Sequence, residues 1–149
     1  MPINGRQKGH DFERKVASDL NTCVNIVLLE RDCGVLSRPY VQRNQNQSAV
    51  GGKDLINTFG LAIECKASEV LSIPAWWDQC VTSARRSSEQ PVLIYKQNRK
   101  KPVAMTMGEL WLSPTKKRWT LVSFSYDDFL DWFTQIVRLK LEEGFRMEV

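Results

Sequence analysis

The stretch Leu61-Ala-Ile-Glu-Cys-Lys-Ala67 decides the predicted fold, because it has the apolar character of a buried β-strand and yet carries two charged side chains. Successive side chains of a strand point to opposite faces, so Glu64 and Lys66 share one face. Ile63 and Cys65 then belong to the opposite, apolar layer. Burying a carboxylate and an ammonium group is unfavourable, which we interpret as a sign that both lie at the rim of a cleft and act together. The alternative is an exposed ion pair on an edge strand, which contributes little energy.

Asp54 is predicted to bring a second carboxylate to the same place, because it precedes the strand across a turn at residues 58–60. Together with Glu64 and the backbone carbonyl of Cys65 it offers an all-oxygen donor set, which suits Mg²⁺ or Mn²⁺ rather than zinc. Such a metal binds a phosphodiester oxygen and lowers the pKa of a bound water. Lys66 would orient or deprotonate that water, or stabilise the charge that develops on the phosphate. The pattern therefore predicts hydrolysis of phosphodiester bonds.

The rest of the chain predicts further helices and strands around this strand. Apolar residues spaced four apart indicate a helix over 8–21, and β-branched residues favour a strand over 23–30. The polar segment 43–52, which ends in two glycines, is typical of a mobile loop. Further extended segments are predicted over 35–43, 53–57, 91–96 and 103–107, a second helix opens at Pro74, and Ser125 caps a final helix of about 126–143. This order predicts one α/β domain over residues 1–149, a central mixed sheet flanked by helices, with the final helix as a core or dimer element.

Length and composition exclude several classes of protein. A chain of 149 residues with 42% hydrophobic and 26% charged residues has the make-up of one globular domain rather than of a disordered segment. Its apolar runs are far too short to span a membrane, and its polar, basic first residues do not resemble a secretory signal. We therefore expect a cytoplasmic protein with no membrane partner. The four cysteines are too scattered for structural zinc, and Cys23, Cys65 and Cys80 are expected to be buried as small apolar residues.

The charge of the chain favours an anionic partner. The formal net charge is +4, and the basic residues form local groups such as Lys116, Lys117 and Arg118. The acidic residues instead collect in the C-terminal part. A basic face of this kind suits the phosphate backbone of a nucleic acid.

The first predicted helix adds a motif, Arg6-Gln-Lys-Gly-His-Asp-Phe-Glu-Arg14. Followed by Asp54 and then Glu64-Cys-Lys66, it resembles the PD-(D/E)XK nuclease superfamily, and within it the Holliday junction resolvases of archaea and their phage-encoded relatives. The resemblance covers roughly residues 6–96 and leaves the C-terminal third outside. It departs from the pattern at Lys53, which replaces the proline that gives the superfamily its name.

The resemblance implies a restriction-endonuclease-like core and a role for each matching residue. Glu13 would be an acidic residue of the metal site, acting directly or through a water, and Asp54 and Glu64 the metal ligands. Lys66 would be the catalytic lysine. The helix after the catalytic strand carries Gln79, a further candidate for the site.

The same resemblance implies a substrate and an assembly. The chain would be a Mg²⁺- or Mn²⁺-dependent endonuclease that cuts branched double-stranded DNA, a Holliday junction in particular, as a homodimer in the cytoplasm (of the host, if the chain is phage-encoded). Symmetric cleavage of a junction needs two active sites related by a two-fold axis. The expected DNA contacts are Lys8, Arg14, Arg38, Arg43 and Lys53, with His10 and Ser48 as possible accessories. His10 is also a candidate general base, although an ordinary surface histidine in the first helical turn is the more usual account of such a residue.

Two other functions fit the same residues. A restriction-type or repair endonuclease, or an exonuclease, would share the core and differ in substrate. A non-catalytic DNA-binding protein with a nuclease-like core is the alternative outside enzymes. Competent residues at all four proposed catalytic positions favour an enzyme.

Overall fold

A central mixed sheet organises the part of the chain, residues 4–45 and 52–147, that a computed structural model describes. The elements are α1 (Gly5–Glu30), β1 (Gln42–Arg43), β2 (Leu55–Ile56), β3 (Leu61–Ala67), α2 (Ile73–Ser87), β4 (Gln90–Lys96), β5 (Val103–Ser113), β6 (Lys116–Ser125) and α3 (Tyr126–Glu142). The sheet has the order β3-β4-β5-β6, with β3 parallel to β4 and the other neighbours antiparallel. β1 and β2 form a separate antiparallel pair. The predicted α/β class with a mixed sheet between helices is confirmed.

The first helix is longer than its sequence suggested, and the strand predicted over 23–30 is wrong. α1 runs without a break from Gly5 to Glu30 and begins at Asn4, whose side chain accepts a hydrogen bond of 3.0 Å from the backbone N–H of Arg6. Val24 and Val27 are fully buried, so they extend the apolar stripe of the predicted helix by two further turns. The spacing of apolar residues therefore decided the structure, and the β-branched character did not.

Other predicted boundaries also need correction. Of the extended segment expected over 35–43, only Gln42–Arg43 is a strand, and of 53–57 only Leu55–Ile56. The segment expected over 103–107 continues to Ser113, and β6 was not predicted at all. The two helix starts are confirmed: Pro74 lies in the first turn of α2, and Ser125 caps α3 by accepting a hydrogen bond of 3.1 Å from the N–H of Asp128.

The sheet separates two apolar layers. On one face α1 and α3 pack together over the sheet, and Phe129 and Phe133 of α3 are fully buried there with Ile63. The final helix is thus a core element, as one of the two predictions for it had it. On the other face α2 covers a smaller cluster that includes Cys80 and Leu93. All four cysteines are free, and Cys23, Cys65 and Cys80 are buried as predicted.

Asn21 of α1 holds the chain that leads into β1. Its side-chain oxygen accepts hydrogen bonds from the backbone N–H groups of Tyr40 (3.1 Å) and Val41 (2.8 Å), and its amide donates to the carbonyl of Val41 (2.9 Å). The Asn21 side chain thus supplies the hydrogen bonds that a neighbouring strand would otherwise make to the backbone of residues 40–41.

Asn21→Ala should therefore lower the free energy of unfolding by about 2 kcal/mol, since backbone groups in a poorly hydrated position lose their partners. Urea denaturation followed by circular dichroism measures the change. Ser18→Ala, an exposed position on the same helix, is the matched control and should change stability by less than about 0.5 kcal/mol. Equal stability of the two variants would contradict the role given to Asn21.

None of the helices within residues 4–45 and 52–147 has both the length and the apolar character needed to cross a bilayer.

Candidate active site

A cleft of about 420 Å³ opens where the first turns of α1, the chain before β2, the end of β3 and α2 meet. It brings together most of the residues that the sequence proposed for catalysis. Its lining residues are Gly5, Arg6, Gly9, His10, Glu13, Gly52, Asp54, Cys65, Lys66, Ala67 and Gln79. Glu64 does not line the cleft because it is fully buried beside it.

Asp54 is fixed against the free edge of β3. Its backbone N–H donates to the carbonyl of Ile63 (3.1 Å), and its Oδ2 accepts from the backbone N–H of Cys65 (2.7 Å). The N–H and C=O of one residue in a strand point to the same edge, so the carbonyl of Cys65 also faces Asp54 rather than β4. The predicted ligands Asp54 and Cys65 are thus adjacent.

Glu64 is a buried carboxylate with one oxygen partnered. Oε1 accepts a hydrogen bond of 2.9 Å from the hydroxyl of Ser83 on α2, whereas no donor among the described residues reaches Oε2. Burial, and then the negative charge of Asp54, raise the pKa of Glu64 to about 8. A buried oxygen that lacks a donor is a position that a cation would satisfy.

The pKa values of both acids, Asp54 and Glu64, are raised above their usual values. Burial raises the pKa of Asp54 above its usual value, although the N–H of Cys65 stabilises its charged form. With both acids affected, the pair resists carrying two negative charges near neutral pH unless a cation is present. Two carboxylates and the Cys65 carbonyl are hard oxygen donors, so their chemistry fits Mg²⁺ or Mn²⁺. In the described part of the chain, no three Asp, Glu, His or Cys side chains converge tightly enough to form a complete metal site by themselves.

Lys66 lies on the same face of β3 as Glu64, as the two-residue spacing predicted. It is half-buried, and its ammonium group donates a hydrogen bond of 2.9 Å to Oε1 of Gln79. Glu64 and Lys66 are thus both held by α2, through Ser83 and Gln79. Gln79 also lines the cleft.

Glu13 reaches the cleft from α1 and is buried there. Its Oε2 accepts a hydrogen bond of 2.7 Å from Nε of Arg43, and the two side chains are 7% and 17% exposed. The structure therefore places Arg43 against an acidic residue of the site, whereas the sequence suggested it as a DNA contact. His10, one turn before Glu13 on the same helix face, is half-buried and lines the cleft.

The other predicted DNA contacts are dispersed. Lys8 donates to Asn98, and Lys53 pairs with Glu89. Arg14 is exposed and pairs with Asp11 at 3.0 Å. Arg38 is exposed in the segment that Asn21 holds, and it does not line the cleft. Ser48 and residues 46–51 of the predicted loop lie outside the described residues.

The sequence missed two residues of the site. Arg6 lines the cleft one helical turn before His10, and Ser83 binds Glu64 four residues after Gln79. Arg6 is four residues from the candidate His10, and Ser83 is four residues from the candidate Gln79. Residues four apart lie on the same face of a helix, so this spacing could have indicated both.

Ser83→Ala should weaken the binding of Mn²⁺ by about fivefold near pH 7, because the serine hydroxyl lowers the pKa of Glu64 and its loss favours the protonated form. The difference should shrink near pH 9, where Glu64 is ionised in both proteins. Calorimetric titration at the two pH values measures it. Ser87→Ala on the same helix is the control, since the Ser87 hydroxyl bonds only to helix carbonyls among the described residues. An equal loss at both pH values would contradict this role for Ser83.

Comparison with known proteins identifies the family of the chain. The model of a family described as "Phage putative PDDEXK endonuclease" matches residues 4–143. Among solved structures, the chain is similar to Hjc of Archaeoglobus fulgidus, a Holliday junction resolvase from an archaeal hyperthermophile, with 17% identity and a TM-score of 0.43 over 95% of this chain and 99% of that one. A search of curated protein sequences finds no significant match. The chain belongs to the phage PDDEXK endonuclease family and is a nuclease of the PD-(D/E)XK superfamily.

Proposed function

We propose that this nuclease is a metal-dependent DNA endonuclease that cuts four-way junctions as a homodimer. The observation that carries the catalytic part is the buried pair Asp54 and Glu64, whose raised pKa values disfavour two negative charges without a cation. The pair adjoins Lys66 at a cleft that is open to substrate. If Glu64 and Lys66 formed only a structural ion pair, a second buried carboxylate, that of Asp54, would not be needed beside them.

Asp54, Glu64 and the carbonyl of Cys65 would hold the metal, with Glu13 near enough to the cleft to act through a water. A bound Mg²⁺ or Mn²⁺ supplies Lewis-acid chemistry, which stabilises negative charge on the phosphate and lowers the pKa of water. The protein's part is to align the two carboxylates and to favour their ionised forms when the cation binds. The hydrogen bonds from Ser83 and from the backbone of Cys65 do this.

Lys66 acts on the reacting groups themselves. Its ammonium, held by Gln79, orients the attacking water or stabilises the negative charge that develops on the phosphate. Arg6 and His10 line the cleft on the α1 side, where they can donate hydrogen bonds to phosphate oxygens. Exchange of Arg43 from Glu13 to a phosphate would free that carboxylate when DNA enters.

The choice of a four-way junction rests on the motif of α1, where Lys8, Glu13 and Arg14 precede Asp54 and Glu64-Cys-Lys66 as in the junction resolvases. A homodimer follows from the symmetry of the substrate, because paired cuts require two sites related by a two-fold axis. Dimerisation would also double the basic surface of a chain whose net charge is only +4.

One assay tests the proposal: incubation with Mg²⁺ and end-labelled four-way, flap and linear duplex DNAs of matched sequence. Symmetric nicks in the four-way junction at much lower protein concentration than in the duplex are expected, together with a dimer in sedimentation velocity. Equal cutting of linear duplex would identify a restriction-type or repair nuclease instead. Junction binding without cleavage at any Mg²⁺ or Mn²⁺ concentration would identify a non-catalytic binding protein.

A further inference from the structure

β5 and β6 extend beyond the rest of the sheet. β5 pairs with β4 only over residues 103–106, whereas its pairing with β6 continues to the turn after Ser113. We call residues 109–119 the distal hairpin. Within the described residues this two-stranded ribbon has no third strand beside it. An isolated two-stranded ribbon is only marginally stable, because it buries little of its surface.

The distal hairpin exposes several large apolar side chains. Trp111 is 63% exposed and Trp119 62% exposed, and Leu110 is 49% exposed. Single exposed apolar residues need no explanation, but a group at the tip of a projecting hairpin is typical of a binding surface. The tryptophans lie outside the core, so packing does not account for them.

The two tryptophans lie on the face of the sheet that carries Glu64 and Lys66. The register pairs Glu64 with Leu93, Leu93 with Met105, and Met105 with Ser123, so these side chains share one face. Steps of two residues along β5 and β6 lead from Met105 to Trp111 and from Ser123 to Trp119. Trp111 and Trp119 are therefore on the Glu64 face. Leu110, one residue away, is on the other.

A basic group accompanies the tryptophans. Lys117 is directly opposite Trp111, and its ammonium lies 4.4 Å from the centre of the Trp111 ring. Lys117 also approaches Glu109 at 3.7 Å, a half-exposed pair that solvent weakens. Its neighbours Lys116 and Arg118 point, by the alternation of a strand, to the opposite face with Leu110. The Trp111–Trp119 face of the hairpin thus offers aromatic rings with one ammonium group, that of Lys117, beside them.

From these observations we propose that the Trp111–Trp119 face of the distal hairpin binds nucleotides that become unpaired at the branch point of the DNA substrate. A nucleotide has an aromatic base and a negatively charged phosphate. The base would stack on the ring of Trp111, and the phosphate would pair with the ammonium group of Lys117 a few ångströms away. A second copy of the hairpin would instead bring the same positive charge to this tip.

The position of the hairpin sets what it contributes. Trp111 is six residues from Met105 along β5, hence roughly 20 Å from the row of Glu64 in the strand direction. About six stacked nucleotides span that distance. The hairpin therefore contributes to the selection of the DNA that is bound. It does not take part in cleavage, which occurs at the cleft. This inference rests on the proposed DNA substrate of the nuclease.

The test compares the double variant Trp111→Ala/Trp119→Ala with the full wild-type chain. Binding of fluorescein-labelled oligothymidylate and of a blunt duplex is measured by anisotropy in EDTA, which prevents cleavage. The variant should bind oligothymidylate at least about tenfold more weakly, and the duplex within about twofold of wild type. Leu110→Ala, on the opposite face, is the matched control and should bind both like wild type. The retained binding of the duplex and an unchanged circular dichroism spectrum verify that the variants fold.

Each other outcome overturns the inference. If the double variant binds oligothymidylate as wild type does, the tryptophans do not contact unpaired bases. If it changes from dimer to monomer in sedimentation velocity with unchanged binding of oligothymidylate, the hairpin is an interface between copies of the chain. The proposed function fails separately, since it depends on junction cleavage by the wild-type protein and not on this variant.

Discussion

Lys66→Ala should reduce DNA cleavage by at least about a thousandfold while DNA binding stays within about threefold of wild type. The ammonium group of Lys66 lies at the cleft beside the carboxylate pair, and Gln79 holds it there. Removing it eliminates the positive charge that acts on the water or phosphate in the transition state. Its hydrogen bond to Gln79 is exposed, so its loss should change stability little. Single-turnover cleavage with Mg²⁺ measures the rate, and anisotropy in EDTA measures binding.

Lys101→Ala is the matched control for that experiment. Lys101 is exposed in the turn between β4 and β5 and does not line the cleft, so this variant loses the same charge from the molecule. It should cut DNA at nearly the wild-type rate. Normal cleavage by Lys66→Ala would refute the mechanism, and equal losses in the two variants would assign the effect to general electrostatic attraction of DNA.

Glu64→Gln should stabilise the metal-free protein by roughly 5 kcal/mol near pH 9 and by much less near pH 4. In the folded wild type the pKa of Glu64 is raised from 4.5 to about 8. The folded state therefore binds more protons than the unfolded state between these values, and wild-type stability falls as the pH rises from about 4.5 to about 8. Glutamine has no charge to bury, so the variant escapes that loss. Thermal or urea unfolding in EDTA across this range measures it.

Addition of Mg²⁺ should reverse the order of stability. A ligand that binds only the folded state stabilises it, so Mg²⁺ should raise the melting temperature of wild type and leave Glu64→Gln nearly unchanged. Glu142→Gln, at an exposed position on α3, is the control and should follow wild type in both experiments. If Glu64→Gln were less stable than wild type in EDTA at high pH, the burial of an unfavourable charge at Glu64 would be disproved.

The sequence predicted the catalytic strand well because its evidence was local. The two-residue spacing of Glu64 and Lys66 fixes their shared face in any strand, and the turn before Leu61 fixes the side from which Asp54 approaches. The prediction of a strand over 23–30 was wrong because it also rested on local evidence alone. Val24, Ile26 and Val27 have strand propensity, but tertiary packing of the helix stripe outweighs such preferences.

The partners of the site residues could not be predicted, because helix docking and not spacing brings them together. Ser83 meets Glu64, and Arg43 meets Glu13, across 19 and 30 residues of sequence. A basic residue in a nuclease suggests a phosphate contact, and nothing in the sequence indicates that Arg43 is directed at a buried acid instead. β6 was missed because none of its residues is fully buried: residues 116–119 belong to the exposed hairpin, and the residues after them alternate only between exposed and half-buried positions.

The hydrogen bonds of Asp54 to β3 have a meaning apart from catalysis. β3 is the outer strand of the sheet, and Leu61, Ala62 and Ile63 within it are almost entirely buried. An open edge on so apolar a strand is a template for pairing with another molecule. Asp54 occupies that edge twice, through its backbone N–H to Ile63 and its carboxylate to Cys65. The proposed metal ligand thus also shields the sheet from aggregation, and its loss would threaten solubility as well as activity.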